Sequence, residues 1–273
     1  MSDMTLPISI NQATTRPQWD LREAVEGYAR HGVCGISVWP EKLEEYGVGE
    51  ARKLLDDNGM QVAAYCVGGM FANYGAADEG NVERLCRRID EAASIGAQCM
   101  IAVVGTLSSD SLDLSEARRR VADGIDRLLP NARSAGVPLA IEAIHPMRAG
   151  DLCCINTLEQ ARDLCDEFGD GIGIAVDAYH VWWDPSLERQ LRRANGRILA
   201  FQVCDWLQDT KEILDDRGMM GDGVIDLPQI RKWVEESGYC GFLDVEIMSA
   251  RNWWKRNPDE VVKTCLERAK TVC

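Results

Sequence analysis

The chain has 273 residues, 46% of them hydrophobic, and a formal net charge of −14 at pH 7. This length and composition allow one large domain with a sizeable core. The acidic balance argues against a nucleic-acid-binding protein, which needs a basic face to neutralise phosphates, and no apolar stretch reaches the roughly 18 residues of a membrane span.

Short apolar runs alternate with charged, amphipathic segments along the chain. Eight runs are predicted to be strands: Leu6–Ile10, Val33–Trp39, Gln61–Val67, Cys99–Gly105, Pro138–Ile144, Ile172–Ala178, Ile198–Cys204 and Phe242–Met248. Four of the segments between them have helical spacing and end on glycine, a common residue just past a helix C-terminus: Trp19–Gly32, Asn81–Gly96, Leu114–Gly136 and Leu227–Gly238.

The strand candidates are apolar throughout, which indicates burial on both faces. Strand–helix alternation favours parallel pairing. About eight such units predict an α/β fold, a single (β/α)8 TIM barrel that takes up residues 1–273 as one domain. An open, doubly wound sheet is the alternative, although no glycine-rich phosphate loop follows the first strand.

The eleven cysteines are scattered without a Cys-x-x-Cys pair. The opening MSDMTLPISINQ lacks the basic start and apolar run of a secretory signal. We therefore expect a cytoplasmic protein whose thiols are reduced and mostly buried.

Polar residues interrupt the last four predicted strands near their C-terminal ends. These residues are Glu142, Asp177, Gln202 and Glu246. Because the C-terminal ends of barrel strands surround one site, the four side chains should converge there. Three carboxylates would repel one another unless a proton or a cation compensated them. Oxygen ligands in an open site suit Mn²⁺ or Mg²⁺, with Co²⁺ also possible; pairing with an internal Arg or Lys is the alternative.

At these residues the chain resembles the xylose-isomerase-like TIM barrels, often described as sugar phosphate isomerases and epimerases. The likeness covers most of the chain and is sharpest from IEAIHPM onward. In that family a Glu, an Asp, a His and a Glu on strands five to eight hold one divalent metal. The resemblance therefore implies metal ligation by Glu142, Asp177 and Glu246, together with the residue at position 202.

Further motifs match residues of that family that contact substrate. The family's Asp-x-x-His corresponds to Asp177 and His180, and Arg217 corresponds to an arginine that contacts the sugar. Trp182 and Trp183 come shortly after His180 in the sequence, and we expect their flat faces to form part of the substrate pocket. The alternative is ordinary packing of a loop against the barrel.

One position departs from the family pattern, because Gln202 stands where most members have His. A glutamine carbonyl can ligate a hard cation but disfavours zinc, so Mn²⁺ is the expected ion. The chain shares this departure with the catalytic subunits of C-glycoside deglycosidases, which it also resembles at His145 and in the segments VDAYHVWWDP, FQVCDW and RGMMGDGVID. The resemblance implies a lyase acting on oxidised (3-keto) glycosides, a small β-rich second subunit and an oligomer.

The shared chemistry is removal of a proton next to a sugar carbonyl that a metal polarises. His145 is the predicted general base, since an unperturbed histidine pKa near 6.5 lies close to working pH; Glu142 and Glu246 are the alternative bases, and His145 could also be purely structural. Return of the proton would make a sugar isomerase or epimerase, and loss of a β-leaving group would make a lyase. The sequence leaves both open.

Two remote alternatives use the same barrel. An abasic-site endonuclease needs three zinc ions and many histidines, whereas this chain has only three histidines. A non-catalytic sugar-binding barrel would bind no metal.

Overall fold

A computed structural model of the protein describes residues 6–68, 78–108 and 111–273. Its strands are all parallel and close into one barrel in chain order, β1 pairing with both β2 and β8. The eight strands are β1 Ile8–Asn11, β2 Gly35–Val38, β3 Gln61–Val67, β4 Met100–Ala102, β5 Leu139–Glu142, β6 Ile172–Asp177, β7 Ile198–Val203 and β8 Leu243–Val245. The predicted (β/α)8 barrel is confirmed.

Helices surround the barrel in the described ranges. They are α1 Leu21–Arg30, α2 Pro40–Tyr46, α3 Val48–Asp57, α4 Glu79–Ile95, α5 Leu114–Ala135, α6 Leu158–Phe168, α7 Ala178–Val181, α8 Leu187–Arg193, α9 Leu227–Glu236 and α10 Pro258–Thr271. None of these helices is both long enough and apolar enough to pass through a membrane.

Local sequence explains where the helices begin and end. Helix α1 starts at a capping box, in which Asp20 accepts the Glu23 backbone N–H and the Glu23 side chain accepts that of Asp20. Such reciprocal bonds satisfy backbone donors that a helix start leaves free. Helices α4 and α5 end at Gly96 and Gly136, both in the left-handed conformation that favours glycine.

The predicted strands are mostly longer than the observed ones. Strand β3 matches its predicted range, but β8 pairs only over Leu243–Val245 within the predicted Phe242–Met248. Residues such as Ile247 and Met248 are buried without belonging to the paired strand. Apolar runs indicate burial, and burial continues past the C-terminal end of the strand, where the chain leaves the sheet.

Mostly small side chains pack inside the barrel. One cluster there comprises Ala64, Cys66, Cys99, Ile101, Ala140, Ala175 and Ala200. This part of the barrel is thus a packed core rather than a pore, and in barrels of this kind a site forms at the C-terminal ends of the strands.

Candidate metal centre and active site

The structure brings the four polar strand-end residues together at the C-terminal face. Glu142 and Asp177 end β5 and β6, Gln202 is next to last in β7, and Glu246 directly follows β8. All four side chains are buried. Oxygen atoms of Glu142 and Asp177 and a ring nitrogen of His180 lie within 4.8 Å of one another.

The amide of Gln202 has an incomplete set of partners. Its Nε2 donates to Glu246 Oε1 at 3.2 Å, while its Oε1 is buried without a hydrogen-bond partner among the described residues. Buried carbonyl oxygens in proteins almost always have a partner. An unpartnered oxygen beside three carboxylates is the donor set expected of a site for a hard divalent cation.

Arg217 provides part of the charge balance. Its Nη1 donates to Asp177 Oδ2 and to Glu246 Oε2, each at 3.0 Å, and its guanidinium lies 4.4 Å from the ring centroid of Tyr179. The pairing of acids with an internal arginine, which sequence analysis gave as the alternative, therefore occurs for Asp177 and Glu246. One guanidinium does not neutralise three carboxylates, so a divalent cation still fits the site.

Burial makes the charged forms of these acids costly. The pKa of Glu142 lies well above its usual value because of burial and because of the neighbouring charges of Glu246 and Asp177. Burial also raises the pKa of Asp177, which Arg217 opposes, and raises the pKa of Glu246 to about 7. The acids favour bound protons, and a cation can take the place of those protons.

His180 lies against the acids. Its Nε2 is 3.6 Å from Asp177 Oδ2, 3.8 Å from Glu142 Oε1 and 3.3 Å from Arg217 Nη2. Burial, and then the positive charge of Arg217, hold the pKa of His180 well below its usual value. Because a guanidinium can only donate, the neutral imidazole accepts the Arg217 hydrogen bond on Nε2, and its ring lies beside the carboxylates where a metal or a substrate would bind.

His145 lies after β5, but it is not among the described residues that line the main cavity. Its ring stacks on Trp206 with a centroid distance of 4.9 Å, and its Nδ1 accepts the Met147 backbone N–H at 3.3 Å. Burial lowers the pKa of His145, which favours the neutral ring. Because Nδ1 accepts a hydrogen bond, the neutral ring carries its proton on Nε2.

The structure does not place Trp182 and Trp183 on the wall of the main cavity, contrary to the sequence-based expectation. Trp183 Nε1 donates to the carbonyl of His180 at 2.8 Å, and Trp182 packs against Trp206 and lines a separate cavity. Helix α7 begins directly after Asp177, so these tryptophans lie beyond its end, where Trp182 packs against the loop that follows β7 and the ring centroid of Trp183 lies 5.8 Å from that of His145.

The main cavity has a volume of about 540 Å³ and is largely apolar. Its polar groups include Glu142, His180, Gln202, Arg217 and Glu246. Its apolar wall includes Trp39, Val67, Ile101, Val103, Ile144, Leu152, Leu214, Met248 and Trp254. Two tryptophans from outside the predicted motif, Trp39 and Trp254, thus supply the flat surfaces.

Sequence reasoning missed the role of Asp205, three residues after Gln202. This buried carboxylate accepts four backbone N–H groups at 2.9–3.0 Å, those of Trp206, Gly221, Gly223 and Ile225. It thereby fixes the loop that carries Arg217. A Cβ on Gly223 would lie 2.1 Å from the Trp206 carbonyl oxygen, so only glycine allows the two backbone segments to come this close. The glycines in GMMGDG are the sequence feature that could have indicated this loop structure.

The fold and the site define the class of protein as a (β/α)8 barrel with polar groups at the C-terminal ends of its strands, the face at which such barrels carry out their chemistry. Residues 25–270 match the family model of the xylose isomerase-like TIM barrel. The chain belongs to this family.

Several relatives of this chain have named activities. Inosose isomerase of Halalkalibacterium halodurans is 24% identical over 269 residues, which cover 95% of this chain and 93% of that protein. L-ribulose-5-phosphate 3-epimerase UlaE of Shigella flexneri is 27% identical over 166 residues, 55% of this chain and half of that protein. These relatives confirm the prediction that the chain is an enzyme.

Solved structures share the whole barrel. Protein SMc04130 from Sinorhizobium meliloti 1021 is 48% identical, with a TM-score of 0.95 and 98% of each chain covered. The IOLI protein, solved with a zinc atom, is 21% identical, with a TM-score of 0.83 and 98% of each chain covered. The second likeness concerns the fold alone.

Proposed function

We propose that the protein is a divalent-metal-dependent sugar isomerase or epimerase that moves a proton next to a carbonyl group. The observation that carries the proposal is the convergence of Glu142 and Glu246 on one cavity beside the unpartnered carbonyl of Gln202. The relatives named inosose isomerase and L-ribulose-5-phosphate 3-epimerase support this reaction class.

The metal would be held by the carboxylates of Glu142, Asp177 and Glu246 and by the carbonyl of Gln202, with His180 beside them. When bound, such an ion supplies Lewis acidity toward a substrate carbonyl. An oxygen-rich ligand set favours Mn²⁺ or Mg²⁺. The zinc atom in the IOLI structure supports a divalent ion in this barrel, although the missing histidine at position 202 argues against zinc here.

Glu142 and Glu246 are proposed as the groups that move the proton. Their strands, β5 and β8, lie apart in the closed barrel, so the carboxylates approach a bound sugar from different directions. Removal by one and return by the other inverts a carbon centre. Return at the former carbonyl carbon isomerises the sugar, provided that the neighbouring hydroxyl proton moves to the former carbonyl oxygen. A carboxylate placed next to an acidified C–H is a suitable general base for this transfer.

The tautomer of His145 suits a donor better than the base predicted from the sequence. With Nδ1 accepting the Met147 N–H, the neutral ring offers Nε2–H. Because His145 is not among the described residues that line the main cavity, we propose that it donates a hydrogen bond or a proton to an oxygen of a substrate group that extends beyond that cavity. The base role then falls to a glutamate, the alternative that sequence analysis left open.

The charges of the cavity favour an uncharged sugar over a sugar phosphate. Both arginines that line the cavity are paired: Arg16 with Glu41, and Arg217 with Asp177 and Glu246. Among the other described lining residues the charged groups are acids. A phosphate would therefore meet repulsion without a free cationic partner.

The test is hydrogen exchange in D₂O with Mn²⁺-loaded protein and a panel of ketoses and inososes, with their phosphates for comparison. NMR should show deuterium entering next to the carbonyl of an unphosphorylated sugar, together with its isomer or epimer. Absence of exchange across the panel, despite bound metal, would contradict the proposal.

A second candidate is the lyase, a C-glycoside deglycosidase type, and the cavity wall favours it. The wall includes Trp39, Ile101, Leu214 and Trp254, and apolar side chains suit an aglycone beyond the sugar ring. A donor at His145 would also suit protonation of a leaving group. Incubation with 3-keto glycosides, with and without a small β-rich partner subunit, would show aglycone release by mass spectrometry; sugar interconversion without release would exclude this candidate.

A further inference from the structure

A second buried carboxylate lies beside the metal centre, on β8. Asp244 is only 3% exposed, and its partners are all neutral: Ser9 Oγ at 2.6 Å, Ser37 Oγ at 2.8 Å, Asn11 Nδ2 at 3.3 Å and Gln202 Nε2 at 3.5 Å. No basic side chain in the described ranges pairs with it. Burying an unpaired charge is costly, so this carboxylate calls for an explanation.

Asp244 and Glu246 together determine which way the Gln202 amide faces. The amide Nε2 lies between Glu246 Oε1 at 3.2 Å and Asp244 Oδ2 at 3.5 Å. If the amide were rotated by half a turn, its carbonyl oxygen would face two carboxylate oxygens, which repel it. Only the observed orientation leaves Oε1 free, buried and without a partner among the described residues.

The two carboxylates differ in what else they do. Glu246 is a proposed metal ligand, and its Oε2 already accepts from Arg217. Once its charge is shared with a cation, Glu246 holds the amide less strongly. Asp244 is not a proposed ligand, and the hydroxyls of Ser9 and Ser37 fix its two oxygens from β1 and β2. The hydrogen bond from Gln202 to Asp244 is therefore the one that keeps its strength when a metal is bound.

We propose that Asp244 is a positioning residue that turns the carbonyl oxygen of Gln202, rather than its NH₂ group, toward the metal and so makes the site selective for an oxygen-preferring cation. The inference rests on the proposed metal-dependent function. It gives a reason for a buried carboxylate among neutral donors, and it places control of metal choice in a residue that does not touch the metal.

The test is a double-mutant cycle read by calorimetric titration with Mn²⁺ and with Zn²⁺. Asp244→Asn nearly preserves the shape of the side chain, but the new amide can either accept a hydrogen bond from Gln202 or donate one to it. The Gln202 amide is then no longer held in one orientation. We expect Mn²⁺ affinity to fall by roughly 10- to 100-fold, the usual range for an outer partner of a ligand. Zn²⁺, which accepts fewer ligands, should lose less, so the Mn²⁺ to Zn²⁺ affinity ratio should drop.

The second arm of the cycle separates positioning from a general effect of charge. Gln202→Ala alone should weaken Mn²⁺ binding, and adding Asp244→Asn to it should weaken binding no further, because Asp244 acts through Gln202. Wild-type affinity in Asp244→Asn, or losses that add in the double variant, would overturn the proposal. A wild-type protein that binds no divalent metal would instead overturn the proposed function.

Folding of each variant is checked by circular dichroism. If Asp244→Asn does not fold, the variant carrying both Ser9→Ala and Ser37→Ala keeps the carboxylate but frees it to rotate. We expect the same direction of change in the Mn²⁺ to Zn²⁺ ratio from that variant. An unchanged ratio there would also overturn the proposal.

Discussion

Opposite parts of the barrel mouth differ in character. The polar half, from β5–β8, consists of Glu142, Asp177, Gln202 and Glu246. The apolar half, from β2–β4 and their ends, consists of Trp39, Val67, Ile101 and Val103. Consecutive strands thus place the charged groups on one side of the cavity and a largely uncharged surface on the other.

The difference separates two tasks. Interactions that matter only as charge develops raise kcat, whereas contacts made equally in the ground state and the transition state set KM. The polar half should control metal binding and kcat, and the apolar half should control which substrate binds. Asn11 on β1 links the two, since its amide bonds both Glu246 and the indole of Trp39.

The largest effect should come from Glu246→Gln in the polar half. The change keeps the size of the side chain but removes a ligand charge, a proposed proton carrier and a partner of Arg217. We expect kcat/KM to fall by about 10⁴-fold or more, with weaker Mn²⁺ binding in calorimetry. Near-normal turnover would show that Glu246 is not part of the reacting site, and the surface variant Glu236→Gln serves as the control.

His145→Ala should have the next largest effect and tests which role this histidine plays. We expect turnover to fall by roughly 10²-fold, as for loss of one acid–base group, with metal affinity unchanged. Exchange of the hydrogen next to the carbonyl with D₂O should persist, because a glutamate removes that proton. His145→Gln, which retains an N–H donor, should recover part of the turnover.

Parallel loss of exchange and turnover in His145→Ala would instead make this residue the base that the sequence predicts. His180→Ala provides the comparison within the same cluster. It should weaken substrate or metal binding, since His180 Nε2 lies 3.6 Å from Asp177 Oδ2.

Gln202→His should change the relative affinity for Mn²⁺ and Zn²⁺ more than it changes the rate of the reaction. A ring nitrogen would replace the carbonyl oxygen, and Asp244 is positioned to accept the other ring N–H, as outer carboxylates do for metal-bound histidines. We expect Zn²⁺ affinity to rise by roughly 10-fold relative to Mn²⁺. Calorimetric titration with both ions measures this, and equal Zn²⁺ affinity in both proteins would mean that Gln202 faces away from the metal.

The smallest effect should come from Val103→Ala in the apolar half. Val103 is partly buried and lines the cavity. Loss of methyl groups that a bound substrate would cover, at about 0.8 kcal/mol per CH₂, should raise KM by up to about tenfold and leave kcat and metal binding unchanged. Val104→Ala is the matched control, because Val104 is buried but does not line the cavity. A change in kcat from Val103→Ala would contradict the division between the halves.

Much of the fold could be predicted because burial leaves a regular signal. Apolar runs between helical segments indicate buried parallel strands, and an acid that interrupts such a run at its end stands out. Glu142 and Asp177 were visible for this reason, as was Gln202. Strand ends were less predictable, since Ile247 and Met248 stay buried outside the paired strand.

The remaining parts of the site depend on contacts between distant segments. Arg217 reaches Asp177 and Glu246 across 40 and 29 residues of sequence, and no local pattern specifies such pairs. Trp182 and Trp183 share a sequence neighbourhood with His180, but the turn into α7 directs them elsewhere. The proton position on His145 follows from one backbone contact, that with Met147.

The four amide contacts of Asp205 have a consequence for engineering. New substrate ranges are often sought by grafting loops between barrels, and the segment 206–225 is an obvious candidate for exchange. If this loop were grafted without its aspartate, several backbone amides would be left unpaired. If a foreign loop were placed over Asp205, its buried carboxylate would be left without hydrogen-bond donors. Strand β7 and this loop should therefore be transplanted as one cassette, with residues 198–225 moved together.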